Sequence, residues 1–497
     1  MIDFHHADSS HDSCGDSRPP LSSPAKLGRC MQLIVLAIAT LTALAAAQNP
    51  VPQIVGPVKP MAIPPGSPAF TLSVFGANFV SGAVVNWNYQ ARATTFVSAH
   101  ELQVQILATD VTKNTAGMIS VTNPSGGGNS SASWAQVEVH VPTSSVAVNA
   151  FKAYPYGYWQ VMPADFNHDT ILDVVAEYGG DLGYYYGVGN GTFHFGSIAG
   201  RAQASPNQAV YGDFNGDGNL DVGVIQGVGQ NTPTQMAVML GDGKGKFTVG
   251  PRLKDFSGLS QVVVGDFNQD GKLDLAVHGK FQHLSMFLGN GDGTFQPAKN
   301  ISNSMQFTEM LTGDFNGDGK LDLVLLAWGI NQGVGIGVYL LLGNGDGTFQ
   351  PLQTVATQST DLPCGLQYSL QVSDFNGDGK LDIAYCTYYS GQIGILLGNG
   401  DGTFQAPVFY AGPNVIYSYA IGDINSDGKP DLLVSQYGSV KDQFVTYLGN
   451  GDGTFQAPQS MDSLWAEEGL TIGDFNSDGL LDFIYQTGLG MDVYIQQ

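Results

Sequence analysis

A nine-residue acidic segment recurs seven times in this chain of 497 residues, and it restricts the possible folds more than any other feature. Its clearest copy, Asp314 to Asp322, reads DFNGDGKLD, with oxygen-bearing side chains at positions 1, 3, 5 and 9 and glycine at position 6. The copies begin at residues 165, 213, 266, 314, 374, 423 and 474, a period of about 50 residues that predicts an array of similar small units.

The spacing of oxygen atoms in this segment predicts a calcium site. Ca²⁺ takes about six to eight oxygen ligands, and glycine at position 6 allows the sharp turn around the ion. Position 7 varies between copies (Ile171, Lys320, Leu480), as expected where only a backbone carbonyl binds. We therefore expect up to seven bound Ca²⁺ ions. The predicted ligands are Asp165, Asn167, Asp169, Asp173, Asp213, Asn215, Asp217, Asp221, Asp266, Asn268, Asp270, Asp274, Asp314, Asn316, Asp318, Asp322, Asp374, Asn376, Asp378, Asp382, Asp423, Asn425, Asp427, Asp431, Asp474, Asn476, Asp478 and Asp482.

The residues after the segment decide between two kinds of calcium loop. An EF-hand loop has a carboxylate at position 12 and leads into a helix. Here position 12 is Ala, Val, Leu or Tyr in every copy, and short β-type runs such as Leu323 to Leu325 follow position 9. The sequence thus predicts a loop that closes at its ninth residue and joins two strands. The aspartate at position 9 is predicted to bind bidentately.

The first copy differs from the others at position 6, where Thr170 replaces glycine. A β-branched residue is strained in the positive-φ conformation that this position requires. We therefore expect the first calcium site to be the weakest.

Residues 1–47 are predicted to be a leader and signal peptide. Basic residues Lys26 and Arg29 precede an apolar run from Met31 to Leu44, and three alanines follow it at a predicted cleavage point near Ala47. Translation starts at Met1 or at Met31. The run is shorter than the ~20 residues of a membrane-spanning helix, so we expect no membrane span and a secreted product (extracellular, cell-surface or periplasmic).

The strong negative charge is explained by the acidic segments. The formal net charge is −24, with 43 acidic and 19 basic residues, and three aspartates in each segment supply about half of the acids. Calcium would neutralise much of this charge. With so few basic residues, nucleic acid is a poor candidate partner.

Residues 51–141 contain no acidic segment and show short alternating strands, such as Phe70 to Phe75 and Leu102 to Leu107. This spacing predicts an immunoglobulin-like β-sandwich. The stretch from Pro65 to Ala83, with Val85 to Trp87 and Val121 to Pro124, resembles the IPT/TIG family of immunoglobulin-like modules. The resemblance implies a spacer or adhesion module without chemistry of its own.

From residue 143 onward each unit carries a second marker, LGNGDGTF, which occurs at 288–295, 342–349, 397–404 and 448–455. Its glycines favour a tight turn, so a unit reads strand, acidic loop, strand, variable loop, strand, glycine turn, strand. Four antiparallel strands in about 50 residues are typical of a propeller blade. The last unit lacks its fourth strand, which we expect residues 146–154 to supply. An open solenoid is the alternative and would need capping repeats.

Residues 143–497 resemble the FG-GAP repeats of integrin α-subunits and of bacterial VCBS-repeat proteins. The resemblance implies Ca²⁺ at one end of each blade, between its first and second strands. The expected fold class is therefore all-β, a seven-bladed β-propeller with calcium loops preceded by a small immunoglobulin-like β-sandwich.

The end of the ring opposite the acidic loops is the predicted ligand surface. Its longest connection contains Cys364, which we expect to bond Cys386; two buried free thiols are the alternative. Aromatic side chains expected at this end, or packed between blades, are Tyr154, Tyr156, Tyr158, Trp159, Tyr184, Tyr185, Tyr186, Phe281, His283, Trp328, Tyr388, Tyr389, Tyr437 and Trp465.

No catalytic motif stands out, and we predict a binding protein rather than an enzyme. Glu467 and Glu468 are adjacent but more typical of a solvated turn, and His278 with His283 lacks a third zinc ligand. The expected role is a monomeric adhesion or ligand-binding scaffold with an extracellular protein or glycan partner. The alternatives are a lectin and, third, a polysaccharide-active lyase or hydrolase.

Overall fold

The computed structural model describes residues 48–497 except for sixteen short segments: 125–133, 144–145, 155–160, 179–180, 201–205, 227–234, 254–258, 280–282, 303–306, 329–335, 359–368, 388–389, 412–414, 438–442, 463–468 and 488–489. Gln48–Gln497 forms one compact unit. The predicted leader, 1–47, lies outside the described residues. Apart from one 3-10 helix, Ala108–Val111, the regular structure of the described residues is β-strand, which confirms the all-β class.

The amino-terminal part is a two-sheet sandwich, because its strands alternate apolar and polar side chains. Leu72, Val104 and Val121 are among the side chains that meet in its core. The strands are β1 (Gln53–Ile54), β2 (Ala62–Ile63), β3 (Phe70–Ala77), β4 (Val84–Trp87), β5 (Gln90–Ala91), β6 (Thr94–Ser98), β7 (Glu101–Ile106), β8 (Thr115–Thr122) and β9 (Ala135–Val139). One sheet has the order β1-β3-β7-β6 and the other β2-β9-β8-β4-β5.

The described strands of the repeat region form seven four-stranded antiparallel sheets. Six are built from consecutive strands: β11 to β14 (Val161–Ala164, Asp173–Tyr178, Asp181–Gly187, Phe193–Gly200); β15 to β18 (Pro206–Gly212, Asp221–Gln226, Gln235–Gly241, Phe247–Leu253); β19 to β22 (Leu259–Gly265, Asp274–Gly279, His283–Phe287, Lys299–Ser302); β23 to β26 (Phe307–Gly313, Asp322–Trp328, Ile336–Leu341, Gln353–Gln358); β27 to β30 (Leu370–Ser373, Asp382–Thr387, Gln392–Leu396, Val408–Ala411); and β31 to β34 (Ile416–Gly422, Asp431–Gln436, Gln443–Tyr447, Gln459–Asp462).

The seventh sheet joins the two ends of the repeat region. Its strands are β35 (Gly469–Gly473), β36 (Asp482–Thr487), β37 (Gly490–Gln496) and β10 (Val148–Tyr154), and β10 pairs antiparallel with β37, as the sequence predicted. Strand β35 also contacts β11, and the Gly191 N–H donates to the Phe475 carbonyl at 3.0 Å. The last repeat therefore packs on the first, and the arrangement is propeller-like.

Neighbouring repeats are joined by pairs of aromatic rings. The phenylalanine at position 2 of an acidic loop packs against the phenylalanine that ends a neighbouring glycine turn. The ring centroids are 5.7 to 6.1 Å apart in the pairs Phe166–Phe247, Phe214–Phe295, Phe267–Phe349, Phe315–Phe404, Phe375–Phe455 and Phe475–Phe193. The last pair again links the seventh repeat to the first. Tilted and edge-on packing of this kind adds stability beyond area burial.

Deleting residues 143–155 is expected to destabilise all the repeats, because it removes the outer strand of the seventh sheet and exposes the edge of β37. We expect a lower melting temperature and a broader transition in calorimetry. A variant that melts like the parent, with the same width, would support an open solenoid in which each repeat contacts only its neighbours.

Cys386 lies in β28, is fully buried, and is disulfide-bonded. Its predicted partner, Cys364, lies outside the described residues. We expect thiol titration of the mature, denatured and unreduced protein to find no free thiol, and Cys364→Ser to expose one. Two free thiols in the parent would contradict the predicted pair.

Candidate functional site

Each acidic loop joins the first and second strands of its sheet, as the sequence predicted. The loop between β23 and β24 shows why it folds locally. Asp314 accepts N–H groups from Asp318 (3.1 Å) and Gly319 (2.7 Å), Asn316 accepts from Asp318 (3.0 Å), and Asp318 accepts from Lys320 (3.0 Å). The side chains at positions 1, 3 and 5 therefore hold the backbone turn through its own N–H groups.

The aspartate at position 9 connects two parts of the repeat. Asp322 is fully buried; its Oδ2 accepts the Phe315 N–H at 2.9 Å, and its Oδ1 accepts the Gly343 N–H at 2.8 Å. Gly343 opens the glycine turn of the same sheet. Equivalent bonds from the downstream glycine turn reach Asp173, Asp221, Asp274, Asp382 and Asp431, and in the last repeat the N–H of Gln496 in β37 takes this place on Asp482. The carboxylate at position 9 thus ties the acidic loop, through Oδ2, to the end of the third strand, through Oδ1.

Burial and mutual repulsion shift the loop carboxyl groups towards their protonated form when no cation is bound. Burial raises the pKa of Asp322 to about 8, the Gly343 and Phe315 N–H groups oppose the rise, and Asp314 and Asp318 add to it. Burial likewise raises the pKa of Asp274, Asp431 and Asp482 to about 8. A divalent cation would relieve this repulsion.

The oxygen donors of the loops fit calcium chemically. Carboxylate, amide and backbone carbonyl oxygens are the ligands that Ca²⁺ takes. In the part of the chain that the structure describes, no group of three or more His, Cys, Asp and Glu residues is arranged to hold a metal ion. In three loops the ammonium group of the lysine at position 7 forms an ion pair with the aspartate at position 5. The Nζ to Oδ2 distances are 3.0 Å for Lys320–Asp318, 3.1 Å for Lys380–Asp378 and 3.4 Å for Lys429–Asp427. If calcium binds, positions 1, 3, 5 and 9 would hold it, and it would supply the countercharge to the carboxylates.

Backbone conformation explains which loop positions can vary. Position 6 has positive φ, and Thr170 adopts it at 71° where the other copies have glycine, which agrees with the strain expected there. Position 4 also has positive φ and carries His168, Gln269, Ser426 or Ser477 in four copies. Sequence reasoning missed this second position, although the glycines in the other three copies were a signal for it.

The amino-terminal sandwich packs on the acidic loops. Hydrogen bonds reach six of them: Tyr89 Oη donates to Asp165 Oδ2 (2.9 Å), Val51 N–H to Asp266 Oδ2 (2.8 Å), Asn78 N–H to the Gly319 carbonyl (3.0 Å), Lys59 Nζ to the Gly377 carbonyl, Ser426 Oγ to Glu138 Oε2 (2.6 Å), and Asp474 N–H to Gln136 Oε1 (3.2 Å). The sequence predicted a spacer or adhesion module here and gave no sign that this module contacts the acidic loops.

Glu138 brings a further carboxylate from the sandwich to the loops. It is 3% exposed. Its burial raises its pKa well above the usual range, Asp423 adds to the rise, and the Ser426 hydroxyl opposes it. No local sequence signal marks Glu138, because its neighbours belong to a segment almost 300 residues away.

Tyr184 and Tyr185 take the second of their two expected placements, packed between sheets: Tyr184 contacts Phe247 of the next sheet, and Tyr185 belongs to an apolar cluster with residues of the seventh sheet. Tyr184 to Tyr186 lie in β13, which returns towards the acidic-loop end; Tyr184 and Tyr185 are buried, and Tyr184 Oη donates to Asp173 Oδ2 at 2.9 Å. Tyr186 is 39% exposed and stacks on His194.

Tyr437 and Tyr154 are the other two predicted aromatics whose side chains the structure describes. Tyr437 directly follows β32, at the end of the sheet opposite the loops, and is 51% exposed. Tyr154 lies in β10, and its hydroxyl accepts the Phe193 N–H at 2.7 Å.

The remaining candidate residues lie in strands or outside the described residues. His283 is the first residue of β21, and Trp328 is the last residue of β24. The positions outside the described residues are Tyr156, Tyr158, Trp159, Phe281, Tyr388, Tyr389, Trp465, Glu467 and Glu468. His278 is buried, and its Nε2 accepts the Phe307 N–H at 3.4 Å.

Comparison with known proteins identifies the repeats. A family profile described as FG-GAP-like repeat matches residues 165–224, 266–325, 314–385, 374–434 and 423–485. A search of curated protein sequences found no match. Among the described residues, no helix has the length and apolar character needed to cross a membrane.

Similar solved structures are distant. A lectin of Agrocybe aegerita that recognises non-reducing terminal N-acetylglucosamine is 17% identical, with 67% of this chain and 86% of that chain covered and a TM-score of 0.48. An auxiliary nutrient binding protein of Bacteroides ovatus is 12% identical over 91% and 100% of the two chains, with a TM-score of 0.39.

Proposed function

Because this chain belongs to the FG-GAP-like repeat family, we propose that it is a secreted, calcium-stabilised seven-bladed β-propeller that acts as an adhesion or ligand-binding scaffold. Its amino-terminal sandwich is an IPT/TIG-like module, and residues 1–47 are a cleaved leader. Each of the seven acidic loops binds one Ca²⁺ ion through the carboxylate and amide groups at its positions 1, 3, 5 and 9. The partner is an extracellular protein or glycan.

The observation that favours binding at the end opposite the loops is the packing of the sandwich. Contacts from Tyr89, Val51 and Glu138 cover part of the acidic-loop end. A partner therefore has better access to the ends of the strands that point away from the loops. Tyr437 lies there and is half exposed, and tyrosines are frequent anchors of protein and sugar ligands.

A direct test is capture of partners from the native environment, with a glycan array run in parallel, each in calcium and in EDTA. We expect binding in calcium, and Tyr437→Ala to weaken it roughly thirtyfold if this side chain is an anchor worth about 2 kcal/mol. Tyr186→Ala is the matched control, since Tyr186 is comparably exposed but lies towards the loop end. Equal loss in both variants, or binding unchanged by Tyr437→Ala, would contradict this placement.

The runner-up is a lectin, and the same array separates it from a protein-binding scaffold. Binding to defined glycans with no captured protein would favour the lectin. An enzyme acting on polysaccharides is a third possibility that no described cluster of residues specifically favours.

A further inference from the structure

The tip of one sandwich hairpin contacts the first acidic loop. Strands β4 and β5 are joined by a two-residue turn, Asn88 and Tyr89. The Tyr89 hydroxyl donates to Asp165 Oδ2 at 2.9 Å. Its ring packs edge-on against His168, with the ring centroids 5.1 Å apart. One side chain of the sandwich therefore contacts positions 1 and 4 of this loop.

The turn holds Tyr89 in a backbone conformation that tyrosine does not favour. Asn88 and Tyr89 have φ values of 50° and 62°, and a two-residue hairpin turn with two positive φ values most often has glycine at its second position. A bulky residue is strained there, because its Cβ lies close to the carbonyl oxygen. Strain of this kind persists where surrounding contacts hold it, and the contacts of Tyr89 with the loop are of that kind.

The hydrogen bonds of Asp165 show what Tyr89 adds to the loop. Oδ2 accepts two donors, the Thr170 N–H at 2.7 Å and the Tyr89 hydroxyl at 2.9 Å. Oδ1 accepts one, the Asp169 N–H at 3.1 Å. The two bonds to Oδ2 fix the rotation of the carboxylate, and Oδ1 keeps a lone pair for a cation. An added orienting bond matters most in this loop, because Thr170 strains its position 6.

The second acidic loop provides an internal comparison. Asp213 has the same place in that loop, and the N–H groups bonded to it come from Gly216, Asp217 and Gly218 of the loop itself. Asp165 is 1% exposed, whereas Asp213 is half-buried. Among the described residues, the sandwich thus bonds the position-1 carboxylate of the first loop but not that of the second.

We propose that Tyr89 is a positioning residue of the first acidic loop: its hydroxyl holds the Asp165 carboxylate with Oδ1 available to Ca²⁺, so that docking of the sandwich and calcium binding at this loop strengthen each other. This role rests on the calcium sites proposed above and gives the sandwich a part in one of them. Metal-binding side chains are commonly oriented by such outer hydrogen bonds, and loss of one typically weakens metal binding about 10–100-fold. Because coupling is reciprocal, calcium also tightens the hairpin on the loop.

The test follows hydrogen–deuterium exchange by mass spectrometry in the full mature protein over a calcium titration. N–H groups of each acidic loop are bonded to side chains of the same loop, so a peptide that contains the loop reports a calcium midpoint for that loop. In Tyr89→Phe we expect the midpoint of loop 165–173 to rise about tenfold. The midpoint of loop 213–221 should stay as in the parent.

Two further variants complete the test. Tyr186→Phe is the matched control, since Tyr186 lies in the same repeat as the first loop, is 39% exposed against 43% for Tyr89, and stacks on His194. It should leave both midpoints unchanged. Tyr89→Gly removes the hydroxyl and places the favoured residue in the turn, so it keeps the hairpin foldable and should raise the midpoint of the first loop at least as much as Tyr89→Phe.

The hairpin peptide, residues 84–92, gives the reciprocal measurement. In the parent, calcium should increase its protection from exchange, and the increase should be smaller in Tyr89→Phe. A first-loop midpoint that neither Tyr89 variant changes, while the loops respond to calcium, would overturn the role of Tyr89 alone. So would an equal rise at both loops, because the effect would then be general. Loops that all fail to respond to calcium would overturn the calcium proposal and this role with it.

Discussion

Removal of calcium is expected to lower the melting temperature of the mature protein by about 10 °C. At a calcium concentration ten times the dissociation constant, each site contributes about 1.4 kcal/mol, and six loops have glycine at position 6. Together the six sites would contribute on the order of 8 kcal/mol to the free energy of unfolding. The unfolding entropy is about 2.1 cal/mol/K per residue, and the repeat region has about 350 residues, so this free energy corresponds to a shift in melting temperature of about 10 °C. Buried carboxylates such as Asp322 and Asp314 supply the physical reason, because burial and their mutual repulsion raise their pKa values.

The measurement is a pair of calorimetric scans, with excess Ca²⁺ and with EDTA, and a metal analysis of the purified protein. Added Ca²⁺ should restore the melting temperature, and Asp318→Asn should reduce the bound calcium by about one ion. Asp346→Asn is the matched control in the same repeat: Asp346 is exposed in the glycine turn and caps Thr348 instead of contributing to the loop. Indifference to EDTA in both melting and bound metal would disprove the calcium proposal.

Replacement of Asp322 by alanine is expected to destabilise the protein by about 2–6 kcal/mol in EDTA, and by about 1.4 kcal/mol more in calcium, where a ligand of the proposed calcium site is lost as well. The substitution leaves the buried N–H groups of Phe315 and Gly343 without an acceptor, and each such group costs about 1–3 kcal/mol. Urea denaturation gives the free energy of unfolding under both conditions, and the difference between Asp322→Ala and the parent measures the cost.

Asp318→Ala separates the structural part of this effect from the effect of metal binding. Asp318 is partly exposed, accepts the Lys320 N–H and pairs with the Lys320 ammonium group, so its loss should cost less than 1 kcal/mol in EDTA. A loss for Asp322→Ala that disappears in EDTA would mean that position 9 acts only as a metal ligand. Asp322→Asn should lie between parent and alanine, because it keeps one acceptor oxygen.

Much of the fold follows from local patterns. An acidic loop marks each of the seven sheets and a glycine turn marks six of them, since their side chains bond to N–H groups only two to five residues away, as Asp314 does with Asp318 and Gly319. The missing fourth strand of the last repeat predicted the pairing of β10 with β37. For Tyr184 and Tyr185 only the structure chose packing between sheets over the ligand end, because a sequence shows that a residue is aromatic but not which neighbour it packs against.

By itself the sequence determined the class of structure, the number and place of the acidic loops, and the strand that joins the two ends. These properties depend on spacing within one repeat. Only the tertiary structure decided that the sandwich packs on the loops, that Glu138 lies beside Ser426, and that Tyr89 bonds to Asp165. These contacts join residues 76 to 338 positions apart, and they form because separately folded apolar and polar surfaces match in three dimensions, which no local pattern encodes.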